Sequence, residues 1–586
     1  MTHPYTNEDI ARTFDNLASL LELQGENPFK IRAYQRVVRV IEHLPRPLAQ
    51  LVAEGEDLRQ VPGVGEAISS KIVELLTTGS MKAYEEAKAH FPPGVLTLMD
   101  VPGIGPKTAV RIVQELGVST VEELEQAIVE GNLAALPRMG EKSAENILRH
   151  LRSLGAKERR IPLGKALSIA EEVIAALREA CPDIGQMEPA GSLRRWKETI
   201  GDVDIMGAAR DPAQVLDALV HLPHVREVLA HGPKKASVLT HSGVQIDLRL
   251  VDESQYGALI QYFTGSKEHN VHLREYARRM GLSLNEYGIT PDGGEMETFA
   301  TEDAFYARLG LQPIPPELRE GIMEVEMAHR RALPHLVNPG DIEGDLHVHT
   351  VWSDGHDSSE AMLRAARQRG YQYVAITDHS VGRGIANGLT EERLHEHIRE
   401  LRNLEDRVGI RVLVGSEVDI RADGSLDYPD DVLAELDVVV AAVHSAMGQD
   451  QERMTQRIIK AMRHPSVHVI AHLTTRLIGQ RDPVDVDVEA VLRAAAETGT
   501  ALEINSSPER LDLKDTHAMR ARELAVPLVI STDSHDVASL GQMRYGVAVA
   551  RRAWCEAKDV LNTRPLDEVL AVLHRKRLQA DSAFRR

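Results

Sequence analysis

Two stretches of the chain carry side chains whose spacing could do chemistry. The first is Gly191-Ser192-Leu193-Arg194-Arg195, followed by Gly201-Asp202-Val203-Asp204. A Gly-Ser turn lets backbone N–H groups approach an anion closely and adjacent guanidinium forks clamp it, which suits a triphosphate. Asp202 and Asp204 alternate with Val203 and Ile205, and a period of two puts both carboxylates on one face of a strand. Neighbouring carboxylates repel unless a cation lies between them, and Mg²⁺ takes such oxygens together with substrate phosphates. Asp247, in the alternating run 244–250, offers the third acid that a metal pair needs. The chemistry implied is nucleotidyl transfer by two metals.

The second stretch begins at 341. Short β-rich runs at 345–349, 373–377, 412–416, 438–443, 467–471, 501–505 and 528–532 alternate with helical patterns. Such alternation predicts parallel strands with helical crossovers, and seven units predict a barrel. Acids and imidazoles fall at the C-terminal ends of these strands, where barrels carry their chemistry. In order they are Asp345-Leu-His347-Val-His349, Ser353-Asp354, Asp378-His379, Glu417, His444, His472 and Asp533-Ser-His535. His-x-His on a strand points both rings to one side, a grip suited to a borderline divalent metal. Arg476 and Arg510 follow strand ends and could meet a phosphate, whereas His356, His395 and His397 read as ordinary surface residues.

Other elements must position these groups. Residues 8–60 read as amphipathic helices, 166–180 as a helix feeding the acidic strands, and 256–320 as mixed helix and short strands. Val-Pro-Gly-Val-Gly (61–65) and Val-Pro-Gly-Ile-Gly (101–105) repeat, with a weaker third copy, Leu-Pro-Arg-Met-Gly (136–140). Each precedes a helical pattern and resembles the helix-hairpin-helix. In that motif glycines permit a tight turn and bare helix N–H groups meet a phosphate without reading sequence. This implies DNA-backbone contacts at Gly63, Gly65, Gly103, Gly105 and Lys107. Prolines 313, 315, 316, 334 and 339 punctuate a connector between the two halves.

At 586 residues the chain is too long for one core, and three to five domains are expected. Two cysteines cannot make a disulfide framework, no apolar run reaches membrane-spanning length, and a cytoplasmic location is expected. The net charge is −20 and neither half is basic overall, so a nucleic-acid enzyme of this composition must concentrate its cations locally.

Residues 1–320 resemble the family X DNA polymerases, the class that includes DNA polymerase beta. By that resemblance Asp202, Asp204 and Asp247 are the catalytic, metal-holding acids, and Gly191, Ser192 and Arg195 hold the incoming nucleotide's phosphates. Arg160, in Arg160-Ile161-Pro162, implies another phosphate contact. Tyr262, Phe263 and Gly265 match a sugar-sensing turn, and Asn270 and Arg274 match contacts to the nascent pair. Arg32-Ala33-Tyr34 matches the small N-terminal domain, where position makes Lys71 the candidate Schiff-base lysine of a lyase, although Ala67 replaces a second basic residue. Gln245 and Pro233-Lys234-Lys235 depart from the family pattern.

The second half is similar to the polymerase-and-histidinol-phosphatase (PHP) domain. That resemblance implies one metal on His347, His349, Glu417 and Asp533, a second on Glu417, His444 and His472, and a third on Asp354, His379 and His535. Leu473-Thr474-Thr475 departs from the common Pro-Thr-Gly. The fold class expected is multidomain α+β and α/β: a helical helix-hairpin-helix region, a DNA polymerase beta-like palm and thumb, and a distorted (β/α)7 barrel. The expected boundaries are a small N-terminal domain (1–90), a fingers-like domain (91–158), palm (159–255), thumb (256–318), linker (319–341) and PHP domain (342–586).

Together the resemblances imply a DNA-repair enzyme that fills gaps from dNTPs with Mg²⁺ or Mn²⁺ and degrades 3′ ends with up to three Mn²⁺ or Zn²⁺. A monomer acting on gapped or primer-template DNA is expected. Abasic-site endonuclease, 3′-phosphatase and small-molecule phosphatase activities stay open for the second site. A non-catalytic scaffold fits worse, because it has no need for clustered buried charges that are costly to desolvate.

Overall fold

The computed structural model describes residues 7–42, 44, 48–61, 63–92, 94–99, 104, 106–133, 136, 139–140, 144, 147–148, 160–382 and 386–584. Two compact units are present, residues 1–160 and 161–586.

The first unit is helical. Helices Asn7–Leu23, Pro28–Glu42, Leu48–Ala53, Glu66–Thr78 and Lys82–Ala89 bury Phe14, Leu17, Val37, Ile41 and Ile72 in one cluster. Ile112, Leu124 and Leu133 form a second cluster around helices Pro106–Leu116 and Val121–Val129. Gly63 takes φ +81°, a conformation that L side chains rarely adopt, and Gly65 is the N-cap of Glu66–Thr78 with no side chain capping it. The hairpin expected at 61–65 is therefore a turn that leaves helix N–H groups uncovered by its cap. Gly103 and Gly105 lie outside the described residues, as does the side chain of Lys107.

The second unit opens with helix Leu163–Ala180, which packs on a five-stranded sheet. Its strands are β1 (Met187–Pro189), β2 (Val203–Ala208), β3 (Val225–His231), β4 (Lys235–Thr240) and β5 (Gln245–Val251), in the order β1-β2-β5-β4-β3. Strands β2 and β5 run parallel, with Asp204 registered opposite Asp247. Helices Tyr256–Thr264 and Lys267–Arg278 follow, then a hairpin of β6 (Leu282–Asn285) and β7 (Gly288–Pro291).

The seven barrel strands appear as expected. They are β8 (Gly344–Val348), β9 (Tyr373–Ile376), β10 (Arg411–Asp419), β11 (Val438–Ala442), β12 (Val469–Ile470), β13 (Ala501–Asn505) and β14 (Leu528–Ser531). All neighbours pair in parallel in sequence order, and a bridge from Val348 to Ser534 brings the first strand to the last. Valine-rich strands such as β11 are buried along their whole length, as parallel strands covered by crossover helices must be. Tyr373, Leu413, Val440, Val469 and Val529 pack in one cluster closed by Val569 and Leu573 of the C-terminal helix. Glu417 registers with Val440 and Glu503 with Val529, so both carboxylates share the face of that cluster.

Sheet and barrel share one continuous apolar core, which runs from Leu167 and Val203 to Val374 and Leu528. The segment expected as a linker, 319–341, is packed rather than loose. Arg319 is buried, donating to Ile314 O and pairing with Glu302, while Glu324 is buried against His269. A charge at this depth needs its partner. Arg319→Met is expected to destabilise the larger unit by about 3 kcal/mol, read as a lower denaturant midpoint by circular dichroism; an unchanged midpoint would contradict this role.

Candidate active sites

The first site is built where β2 and β5 pair. Register places Asp204 directly beside Asp247, and the turn after β1 lies over Asp204. Gly191 has φ +57°, and a Cβ there would come within 2.4 Å of Asp204 Oδ2, so a larger residue would be strained and would push that carboxylate aside. Asp204 O also accepts from Ala190 N. Asp202 was expected on the same strand, but β2 begins at Val203 and Asp202 stands in the bend before it. Among the described residues the three acids do not bring ligand atoms as close together as the barrel clusters do. Lys235 Nζ is 3.2 Å from Asp247 Oδ2, so the lysine-rich departure at 233–235 supplies a counter-charge. Burial, then the nearby Asp202 and Asp247 carboxylates, push the Asp204 carboxyl up to about 7.

The other predicted groups separate into those facing the site and those already engaged. Arg195 donates to Thr264 O, its Nε lies 3.5 Å from Glu320, and that Nε has no hydrogen-bond partner among the described residues. Arg194, by contrast, is tied to Thr264 and Glu302. A Cβ on Gly265 would stand 3.1 Å from Arg195 Nη1. Tyr262 and Phe263 meet edge to face, with the Arg249 guanidinium over Phe263. The Asn270 amide donates to Tyr262 O and accepts from Gln261, while Arg274 is exposed. Ser192 is half-buried, and Arg160 closes the first unit at the surface. Lys71, in the first unit, is half-buried and donates to Ala67 O within its own helix.

The second site gathers around the buried carboxylate of Glu417. His347 Nε2 and His349 Nε2 each lie 3.5 Å from Glu417 Oε2, and 3.6 and 3.2 Å from Asp533 Oδ1. His444 Nε2 and His472 Nε2 approach Glu417 Oε1 at 3.2 and 2.9 Å. Asp354 receives His379 Nε2 at 3.5 Å and His535 Nε2 at 3.3 Å. The three expected ligand groups are thus brought together in space. The donor set fits divalent cations: His347 Nε2 and His349 Nε2 face each other at 3.1 Å, and buried and half-buried imidazole and carboxylate donors converge in three clusters.

Electrostatics follow the packing. Burial opposes charge on His347, but Glu503, Asp533 and Glu417 outweigh it and raise its affinity for a proton. His379 is carried up to about 10, against burial, by Glu417 and Asp354. Burial and the flanking His535 and His379 press His349 down to about 3. Asp533 has φ +54° and His472 φ +27°, so backbone strain collects at the site.

Several supporting residues escape the sequence reading. Glu503, the acid of β13, accepts from His347 Nδ1 at 2.8 Å and from His472 N; Asp419 accepts from His444 Nδ1 at 2.6 Å. Such carboxylate–imidazole bonds fix the ring orientation of a ligand. The alternation Leu502-Glu503-Ile504 within β13 was the available signal. Asp345 and Asp378 are latches, bonded to Thr532 and to Thr350 and Ser353, and burial pushes each up to about 6. Arg476 was expected near a phosphate but is spent on Arg510 O, Leu511 O and Glu198 of the sheet half. Arg510 remains at the site, with Nε 3.7 Å from Asp533 and an unpartnered Nη1 among the described residues. His397 is no surface residue: it is buried, stacked on Trp352 and 3.6 Å from Asp378.

Comparison with known proteins agrees with this architecture. Family models match residues 5–81 (helix-hairpin-helix domain), 95–153 (SAM-like helix-hairpin-helix tandem), 259–320 (DNA polymerase beta thumb) and 345–507 (PHP domain). The chain is 40% identical over 572 residues to a Bacillus subtilis (strain 168) protein named DNA polymerase/3′-5′ exonuclease PolX, covering 97% of this chain and 99% of that one. It is also 31% identical over 233 residues to a probable phosphatase of Thermoanaerobacter sp. (strain X514), covering 37% of this chain and 89% of that protein. A probable phosphatase of Shewanella sp. (strain MR-4) is 32% identical over 233 residues, 38% of this chain and 88% of that protein. Among the described residues no helix is long and apolar enough to cross a membrane.

Two outcomes test the geometry. Without divalent ions the folded chain holds the Asp204 proton up to about 7, against 3.8 for an unburied carboxyl. A raised carboxyl pKa contributes stability that is full below the lower value and lost as pH rises through the higher one. Wild type is therefore expected to lose more stability than Asp204→Asn between roughly pH 4 and 8 in urea titrations with chelator, and equal losses would count against it. Glu503→Gln is expected to weaken divalent-metal retention about ten- to hundredfold, measured by elemental analysis after graded chelation; wild-type retention would show the bond to be dispensable.

Proposed function

The chain belongs to the family X DNA polymerases that carry a C-terminal PHP domain, and we propose that it couples gap-filling DNA synthesis at the sheet to 3′→5′ exonucleolysis in the barrel. The observation that carries the synthetic reading is the parallel register of Asp204 with Asp247 beneath a glycine whose Cβ would strike the first carboxylate. Asp202, Asp204 and Asp247 would hold Mg²⁺ or Mn²⁺, and the nine barrel ligands would hold up to three Mn²⁺ or Zn²⁺. When bound, such ions lower the pKa of an attacking hydroxyl or water and offset charge on the phosphoryl group.

The residues divide the rest of the work. Gly191 and Ser192 present backbone to a triphosphate, and Arg195 offers its guanidinium. Asp204 must shed a proton to hold a cation, so the site accepts charge only where cations compensate its crowded acids. The 3′-hydroxyl of a primer would attack the α-phosphate in line, forming the new ester as the bond to pyrophosphate breaks. In the barrel, His347, His349, Glu417 and Asp533 face the same point, and Arg510 stands ready for a phosphate oxygen. Hairpin turns such as Gly63–Gly65 would hold the duplex by its backbone, in keeping with short gaps.

The phosphatase names of the shorter relatives favour a second reading of the barrel, removal of a 3′-phosphate rather than of a nucleotide. One gel separates these. On a duplex with a one-nucleotide gap, wild type is expected to extend the primer with dNTPs and shorten it without them. Asp202→Ala with Asp204→Ala should abolish extension and spare shortening, whereas His347→Ala should do the reverse. Extension by the doubly substituted enzyme would overturn the palm assignment. Dephosphorylation of a 3′-phosphate primer without any shortening would install the phosphatase reading instead.

A further inference from the structure

The nucleotide turn of the sheet is held from behind by the barrel. Arg552, the last residue of barrel helix Met543–Arg552, is buried, and its Nη1 donates to Arg195 O at 2.7 Å and to Glu320 Oε1 at 2.8 Å. Its Nε donates to Asp515, also in the barrel half, at 2.8 Å. Two further contacts grip the same stretch. Trp196, at φ +54°, packs edge to face on Tyr545 of that helix, and Glu198 pairs with Arg476 at 2.7 Å.

The charges are arranged as a competition. Glu320 Oε1 lies between two guanidiniums, bonded to Arg552 and 3.5 Å from Arg195 Nε. A carboxylate bound fully to Arg195 would oppose an incoming triphosphate at the group meant to receive it. While Arg552 engages that oxygen, less of its negative charge is directed at Arg195, and the backbone of Arg195 is fixed by the same guanidinium.

We propose that Arg552 is a positioning residue of the polymerase reaction, contributed by the hydrolytic half: it diverts Glu320 from Arg195 and so keeps the triphosphate-binding arginine available. The inference rests on the reading of Arg195 as a phosphate-binding group. It makes the PHP domain part of the nucleotide site as well as a separate catalyst, without Arg552 touching the substrate.

Steady-state incorporation of dNTP by the full chain on a gapped duplex tests it. Losing a charged, buried hydrogen bond corresponds to roughly a ten- to hundredfold change, so Arg552→Gln should raise KM for dNTP by that factor with kcat little changed. Primer shortening by the barrel should stay at the wild-type rate. Glu320→Gln combined with Arg552→Gln should bring KM back toward wild type, a rescue that a purely structural role would not yield. An unchanged KM in Arg552→Gln, or a raised KM that Glu320→Gln fails to restore, would overturn the proposal while the polymerase reading stands. Should Arg552→Gln not fold, Arg552→Met, which also removes the charge beside Glu320, carries the same comparison, with the same two outcomes deciding. Absence of incorporation by the unsubstituted enzyme would overturn the polymerase reading and this inference together.

Discussion

Buried charge balanced by buried charge is the constraint on which the larger unit depends. Glu417 has imidazoles of His347, His349, His379, His444 and His472 within 3.5 Å of its two oxygens. A carboxylate at that depth without partners would be strongly destabilising, and so would five rings crowded together without an anion. Each stabilises the others, and cations can take over part of the balance because the same lone pairs suit both protons and metals. The sheet site obeys the same rule in a sparser form. Asp204 and Asp247 face each other, Lys235 supplies one positive charge, and Asp204 responds by holding its proton.

That constraint explains why sheet and barrel form one body. Ion pairs cross between them at Glu198–Arg476, Glu320–Arg552 and Glu317–Arg551, and two of the three arginines are buried. Arginine suits such places, since its planar fork serves several acceptors at once. The apolar core beneath is continuous, so the contacts are fixed by packing rather than by a hinge. Relative domain motion is the default where halves meet only through polar contacts, and here an apolar core joins them as well.

Much of this was legible in the sequence because chemistry and periodicity coincide there. The seven barrel strands stand within a few residues of their expected places, since each is a short apolar-rich run between helical patterns. The candidate ligands stood out because acids and histidines recur at seven successive strand ends, although Asp345 and Asp378 among them turn out to be hydrogen-bonded latches. Asp202 shows the limit: alternation implied a strand position, yet the chain bends at Gly201–Asp202 before β2 begins. Glu503, His397 and Arg552 were missed for another reason. Their roles come from partners distant in sequence, His347, Trp352 and Arg195, and no local pattern records a partner. The packed segment at 319–341 was hidden likewise, because its prolines read as punctuation while its buried ion pairs are tertiary.

The acidic balance of the chain is a consequence of the same design. A net charge of −20 repels DNA at long range, and that repulsion is screened beyond roughly 10 Å in ordinary salt. Binding then needs locally concentrated cations and short-range groups that carry no net charge of their own, such as the helix N–H groups behind Gly65. The acids cannot simply be removed to help, because the buried clusters at both candidate sites are made of them and their supports, Glu503, Asp419, Asp345 and Asp378, are acids too. Divalent cations held by these acids would resolve the conflict in place, because they would cancel repulsion only where a phosphate is to be held.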